Sequence, residues 1–584
     1  LTVSGIVEDN QSRLIASPND TQRDHHNEWT DCSHRRDARI LGELGQGLRR
    51  LQQEEVQEKV YQENREGFDE GGQEIVGQEI ADQPARPSSR LDSLVGLLAT
   101  AACLAHSGLR APIPGVNEPH YLTKARHLLD PAWCSGDFFL ESSNPHLVFY
   151  LLTGPLTQFL PLAAVALIGR LLGLVLLATG WIALVKHLTP DRSSRLVATA
   201  SFLLIAALGN LSGEWVVGGI ESKVLAYGLL AWSAAHGLRL HPRRAAVLCG
   251  LAVSVHPIVG GWGLVMGMMA GPPTVTRTRL QQAALVGICA LPGLIPAMAL
   301  LGNGSAQADS LQVFTRLGHH LVPNRFSTVA IAAYAAMLLA WLWAGFSKQR
   351  RLARSETESW WSRLVLASVG VAIVGAALAL DRPPGDLTIG PLRVVLMKFY
   401  PYRMVDVLLP AAISITIANQ LARRCRRGHR LLVAGSLLAL ALALPAHDRN
   451  PSRMAPERLS DWTHTCRWIE QNLPHDAVVL TPPDSWAFKW YAGRAEYVVF
   501  KDCPQDAAGI QEWDRRRQVR GRWLLDIQLG RDVPKTTADS FPPGRITHIL
   551  WRRTDRFDSI DGLQPLYKTR HYAVYAISAT PDSQ

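Results

Sequence analysis

From Leu91 to about residue 446 the sequence is a succession of apolar runs, each close to the length of a membrane-crossing helix, and this excludes an ordinary soluble fold. The runs lie near 91–109, 161–185, 195–211, 217–238, 245–270, 280–301, 327–347, 362–380, 393–420 and 430–446. A hydrocarbon core of roughly 30 Å needs about 20 apolar residues per helix. Helices alone satisfy their backbone polar groups in that medium without closing a barrel. The spacing therefore predicts a mainly α, polytopic membrane domain over 91–446.

Basic clusters orient it, because short cytoplasmic loops carry the Lys/Arg excess. The runs around 350–357, 422–430, 186–195 and 239–244 are all expected on the cytoplasmic side. A single crossing at 245–270 would invert every later cluster. The segment VSVHPIVGGWG places Pro257, Gly260 and Gly261 at the middle of that run, and proline and glycine break a helix there. Two short helices forming a re-entrant hairpin restore the rule, giving about nine full crossings plus the hairpin. The loops 110–160, 303–326 and 381–392, and everything after about residue 447, then face outward.

The flanks differ from this core. Residues 1–90 carry about 18 acids against about 11 bases and few aromatics, and too little apolar surface to offset ordering entropy. They read as a disordered or mis-called cytoplasmic tail. The net charge of +10 therefore resides in the remainder, as cytoplasmic-loop bases and not a nucleic-acid footprint. Residues 447–584 read as an outward soluble α/β domain. SDWTHTCRWIEQN is a helix capped by its serine, AAGIQEWDRRRQVRG is a second helix, and AVVL, YVVF, THILW and YAVYAI are strands. The eight cysteines show no metal-ligand spacing. Cys466 and Cys503 are the pair an oxidising space could join.

Ionisable groups within or flush with a bilayer need a partner or a role. Glu118 follows the first run and is able to take a proton from a hydroxyl or hold a divalent cation; a solvated loop acid is the plainer reading. Asp137 in the same loop is either a second carboxylate or the cap of a short helix. Arg170 interrupts the second run in LIGRLLG and requires an anionic partner, for which Glu221 is a candidate. Glu221 and Lys223 are two residues apart, a spacing that places them on different helical faces and disfavours a mutual salt bridge. In MKFYPYRMVDVLLP, Lys398 and Arg403 beside Tyr400 and Tyr402 suit a phosphate held at the interface, or equally an aromatic belt with snorkelling cations. His319 and His320 suit a metal or a donor phosphate; His256 reads as a packed hairpin residue.

The first loop, NEPHYLTKARHLLDPAWCSGDFFLESSNPHLVFY, resembles the opening of the GT-C superfamily of membrane glycosyltransferases, relatives of protein O-mannosyltransferases and aminoarabinose transferases, and most of all uncharacterised bacterial multi-pass members. Glu118 matches the acid of their motif, Tyr121 its aromatic, and Ala125-Arg126 the helix that follows. Asn117 stands where several members carry a second acid, which weakens a two-carboxylate metal site. The resemblance implies a bacterial cytoplasmic-membrane enzyme that moves a sugar from a polyprenyl-phosphate donor to an extracytoplasmic acceptor, with inversion. It implies Glu118 as general base, and Arg403, Lys398 and Arg170 on the leaving phosphate. His120, Tyr121, Asp137, Glu221, Tyr400, His319 and His320 would line the substrate site. A divalent cation is the one cofactor left open, with Glu118 its ligand. The alternative is a non-catalytic membrane protein or transporter that keeps the fold.

Overall fold

A computed structural model describes residues 90–577 apart from 116, 272–275, 302–303, 347–354, 380–390, 445–453, 533–536, 538, 543–544 and 555–556. The amino-terminal tail, most of the 381–392 loop and most of the basic run around 350–357 lie outside the described residues.

The helices are α1 (Arg90–Arg110), α2 (Glu118–Leu129), α3 (Leu147–Phe159), α4 (Leu162–Val185), α5 (Arg192–Leu208), α6 (Ser222–Leu238), α7 (Pro242–Val255), α8 (Pro257–Ala270) and α9 (Thr276–Leu301). After a short α10 (Ala306–Ser310) come α11 (Thr328–Phe346), α12 (Glu356–Ala379), α13 (Pro391–Met397), α14 (Arg403–Arg424) and α15 (Arg427–Ala443). Six of these, α1, α4, α9, α11, α12 and α14, are long and apolar enough to cross a membrane. The sequence reading counts about nine. The difference lies in α5, α6 and α15, at 17 residues each, about 25 Å of helix. Large apolar side chains point outward from several helices, among them Leu167, Leu172, Ile288, Ile295, Trp343 and Ile373. Such a surface demands hydrocarbon around it. The chain is a membrane protein.

The bundle has two chemically distinct ends. At one, Asp92 holds Arg192 at 2.8 Å and Arg195 at 2.9 Å, and Arg430 reaches Asp191 at 2.8 Å. At the other, Arg110 donates to the carbonyls of Leu444 and Ala207, and the carboxy-terminal domain sits beyond it. The run at 245–270 is two helices, as its Pro257 and glycines predict. His256 ends α7 in extended backbone and its ring nitrogen accepts from Val259 N–H at the start of α8. The chain doubles back so sharply that a Cβ on Gly260 would lie 2.2 Å from the Val253 amide nitrogen.

The carboxy-terminal domain has α16 (Pro456–Asn472), β1 (Val478–Leu480), α17 (Phe488–Ala492), β2 (Ala495–Glu496), α18 (Ala507–Gln528), β3 (His548–Arg552), β4 (Pro565–Lys568) and β5 (Tyr572–Ala576). The five strands order as β2-β1-β3-β5-β4, with β1 parallel to both neighbours and β5 antiparallel to both of its own. Side chains alternate across a strand. Val479, Leu550 and Val574 therefore pack with Trp462 and Cys466 of α16, while Leu480, Ile549 and Ala573 pack with Trp513 and Trp523 of α18. The sheet is sandwiched between the two helices.

Three local expectations are corrected. The first helix begins four residues early, with Pro456 at its first position and Ala455 as cap, so Ser460 is interior. YVVF is irregular beyond Glu496, although Tyr497 N–H still bonds to Val479 O at 3.0 Å. Cys466 and Cys503 are both free and belong to opposite faces of the sheet, so no disulfide joins them.

A Gly260→Val variant should be destabilised by about 1–3 kcal/mol, because its side chain overlaps α7 backbone that cannot swing aside. Thermal unfolding in detergent reads this directly, with Gly261→Ala, where a Cβ meets nothing within 4 Å, as the neutral control.

Candidate functional site at the domain end of the bundle

Glu118 opens α2, where four unpaired backbone N–H groups favour a carboxylate. It is fully buried. One oxygen accepts from Arg170 Nε at 2.6 Å and from Ile220 N–H at 2.9 Å. The other accepts from Arg170 Nη2 at 2.7 Å and from Gly115 N–H at 2.5 Å. Arg170 also donates to Ala111 O. Gly219 permits this closeness: a Cβ there would stand 3.1 Å from the carboxyl carbon. Two expectations change. The partner of Arg170 is Glu118, not Glu221. Glu118, with every acceptor direction filled, has no lone pair free to deprotonate a hydroxyl or bind a cation, and Arg170 is equally committed and unavailable to a phosphate.

The pair fixes the 218–220 segment and so delivers Glu221, the cap residue of α6, to a second cluster. Glu221 accepts from Asn117 Nδ2 at 2.8 Å and lies 3.1 Å from Lys223 Nζ. The salt bridge that helical spacing disfavours does form, because Glu221 has extended backbone and only Lys223 is helical. Asn117 is explained as well: an aspartate there would face Glu221 with like charge. Lys223 Nζ is 3.4 Å from Glu214 and 4.2 Å over the Trp215 ring. Arg403, first residue of α14, is 3.2 Å from Glu214, 3.3 Å from His256 Nε2 and 4.0 Å over Tyr400. Glu214 Oε1 is buried with no hydrogen-bond partner.

Asp406 sets the position of Glu214. Its two oxygens accept from the backbone of Leu211 at 2.6 Å, Ser212 at 2.9 Å and Glu214 at 3.1 Å, wrapping the 211–214 loop onto α14. His320 contacts Ser212 O in the same loop and stacks against the more exposed His319 at 3.9 Å. Tyr121 lies 3.5 Å from His146, whose ring is 4.8 Å from that of His256. Burial, with the charges of His120 and Arg403, pushes the His146 imidazole down to about 3, so it is neutral at ordinary pH. Lys398 is held at 2.5 Å by Asp309, a pairing apart from the Arg403 cluster.

The carboxy-terminal domain closes over this end. His120 Nδ1 meets Asp502 at 2.8 Å, and Lys489 lies 2.6 Å from Asp502, 3.0 Å from Glu496 and 3.5 Å from Asp137. Asp137 takes the capping role: it caps the turn at Phe139 and Leu140, and its second oxygen accepts from Glu496 N–H at 2.9 Å. Burial would raise the Asp502 carboxyl, but the Lys489 charge and His120 hold it well below the usual range. Next to it, Lys501 is half-buried, and its ammonium has no ion-pair partner among the described residues. Burial and the charge of Arg316 push that group down to about 8, and it also feels Glu221 and Lys223. Arg316 donates to Lys501 O at 2.7 Å and leaves its Nε unpaired.

Arg316, Arg403, Lys223 and Lys501 thus confront Glu214 and Glu221, leaving positive charge in excess. Among the described residues no group of three His, Cys, Asp or Glu side chains is placed to hold a metal ion. Sequence reasoning had named neither Lys501 nor Asp406 as functional. The one available signal was the acid in the first turn of an apolar helix.

A family described as a domain of unknown function (DUF6798) matches residues 460–519. That stretch runs from α16 into α18 and contains Lys489, Glu496, Lys501 and Asp502. No curated protein matches the chain.

Removing one partner of a buried, saturated pair leaves an uncompensated charge. Glu118→Gln should therefore cost about 3–5 kcal/mol of stability, seen as a lowered unfolding temperature and reduced folded yield in detergent. For Asp502 the depressed carboxyl means stabilisation that is complete above its ordinary value of 3.8 and is lost as pH falls below it. In acid titrations followed by tryptophan fluorescence, Asp502→Asn should flatten the pH dependence of stability below about pH 4 while leaving the neutral-to-alkaline limb parallel to wild type.

Proposed function

We propose that the chain is a membrane-embedded glycosyltransferase, taking a sugar from a polyprenyl-phosphate donor and passing it to an acceptor hydroxyl on the extracytoplasmic side of a bacterial cytoplasmic membrane. The observation that carries the reading is the buried Glu214 oxygen without a hydrogen-bond partner, set among more cations than acids. In this reading the carboxy-terminal domain and first loop face outward and the end bearing Arg192, Arg195 and Arg430 faces the cytoplasm, in keeping with the positive-inside rule. The lipid tail would lie along the apolar bundle with its phosphate near Arg403, Lys223 and Lys501.

The step is a single displacement. The acceptor oxygen attacks the anomeric carbon from the face opposite the phosphate. The C–O bond to phosphate breaks, its electron pair stays on the phosphate oxygen, and the acceptor proton passes to the Glu214 carboxylate. Arg403 and Lys501 offset the charge that grows on the leaving phosphate. Glu118 and Asp406 hold the loops and touch neither reactant. Glu221, Asn117 and Tyr121 would face the sugar.

The test is release of free polyprenyl phosphate from lipid-linked sugars by purified protein supplied with acceptor extract. Wild type should release it, while Glu214→Gln should lose about 10²–10⁴-fold in rate per folded molecule, a loss larger than its lowered unfolding temperature accounts for. Folded wild type that consumes no donor, yet moves solute across sealed vesicles, overturns the proposal in favour of transport.

A further inference from the structure

A cleft of about 190 Å³ lies where the end of α2 and the 132–134 turn meet the α16–α17 part of the carboxy-terminal domain. Its lining is mostly polar, and Glu470 and His475 are open to solvent. The Trp133 indole nitrogen would stand 3.5 Å, and a Glu470 carboxylate oxygen 3.9 Å, from a Cβ placed on Gly493, so both converge on that glycine, whose φ of +55° turns the chain away. Neither group has a hydrogen-bond partner among the described residues. The Arg126 guanidinium lies 4.6 Å over the Trp133 ring with no hydrogen-bond acceptor among the described residues, and Trp490 adds a second indole to the wall.

The remaining charges are spoken for. Lys489 is neutralised by Asp137, Glu496 and Asp502. Arg494 donates to the carbonyls of Glu470, Leu473 and Gly493. What is left is one carboxylate, one guanidinium, the His475 imidazole, an indole N–H and indole surface. This set pairs with neighbouring hydroxyls that both donate and accept, and with the C–H face of a ring. The Glu470 carboxylate argues against an anion. The volume is below the roughly 300 Å³ where drug-sized sites begin, which limits the occupant to a single ring.

We infer that this cleft binds one uncharged sugar ring. It is separate from the Glu214 cluster, and Lys489 links the two: the same side chain lines the cleft and holds Asp502, the neighbour of Lys501. The inference does not depend on transfer, since binding alone is claimed.

The experiment is saturation-transfer NMR and tryptophan fluorescence on the purified full-length protein, without donor. The probes are the methyl glycosides of glucose, galactose, mannose and N-acetylglucosamine, with inorganic phosphate alongside. At least one glycoside should bind, and its affinity should fall at least tenfold in both Glu470→Gln and Trp133→Phe, two substitutions that keep the shape of the wall. Phosphate should not compete. Absence of binding by every glycoside, binding indifferent to both substitutions, or competition by phosphate each overturns the inference. A cleft that binds sugar in a protein that releases no polyprenyl phosphate would sink the transfer reading alone.

Discussion

The buried pair of Glu118 and Arg170 is the interaction on which the domain end of the bundle depends. A guanidinium inside an apolar helix and a carboxylate in a dry loop are each untenable alone, since an unpaired ion there costs several kcal/mol. Together they reach four elements: the end of α1 through Ala111 O, the start of α2, the body of α4 and the 218–220 segment. The last of these leads directly into Glu221 and α6. A carboxylate 104 residues from the Asn117 that binds it is thus brought into range by an ion pair in which it takes no part. The geometry is bidentate and every lone pair is used, which is the condition under which a buried ion pair holds its place.

Lys489 plays the corresponding part between bundle and carboxy-terminal domain. It gathers Asp137 from the first loop with Glu496 and Asp502 from the domain, and its ammonium is held well above its usual range by those charges despite burial. The domain is therefore docked through electrostatics in a dry junction as well as through apolar contact. Docking has a chemical result. Glu214, Glu221, Lys223 and Arg403 balance one another; Lys501 from the domain and the Arg316 tied to its carbonyl add positive charge beside them, while Asp502 is taken up by Lys489.

Much of the architecture was legible because it rests on local rules. Apolar runs of membrane length, the break at Pro257 and the alternation that divides the sheet into two faces are each properties of a few consecutive residues. The need of Arg170 for an acid was equally legible; the identity of the acid was not, because Glu118 and Glu221 satisfy the same requirement and only packing at Gly219 chooses between them. The Glu221–Lys223 bridge was missed for a related reason. Helical spacing was applied across a cap, where one partner has extended backbone. Lys501 was invisible, since its significance comes from being carried by one domain over another.

The revised place of Glu118 bears on how such first loops should be read. An acid directly after an apolar helix invites a catalytic reading because water and substrate both reach a membrane surface. What decides is how many of its lone pairs the fold consumes. Glu118 has all of them consumed, while Glu221 and Glu214 each keep one oxygen free of hydrogen bonds, that of Glu221 lying 3.1 Å from the Lys223 ammonium. In the proposed reading chemistry falls to these less satisfied carboxylates and not to Glu118, because the same hydrogen bonds that anchor a carboxylate lower its capacity to accept a proton. The anchoring acid sits where the sequence makes an acid conspicuous. The one proposed to react, Glu214, lies in a loop that Asp406 wraps onto α14.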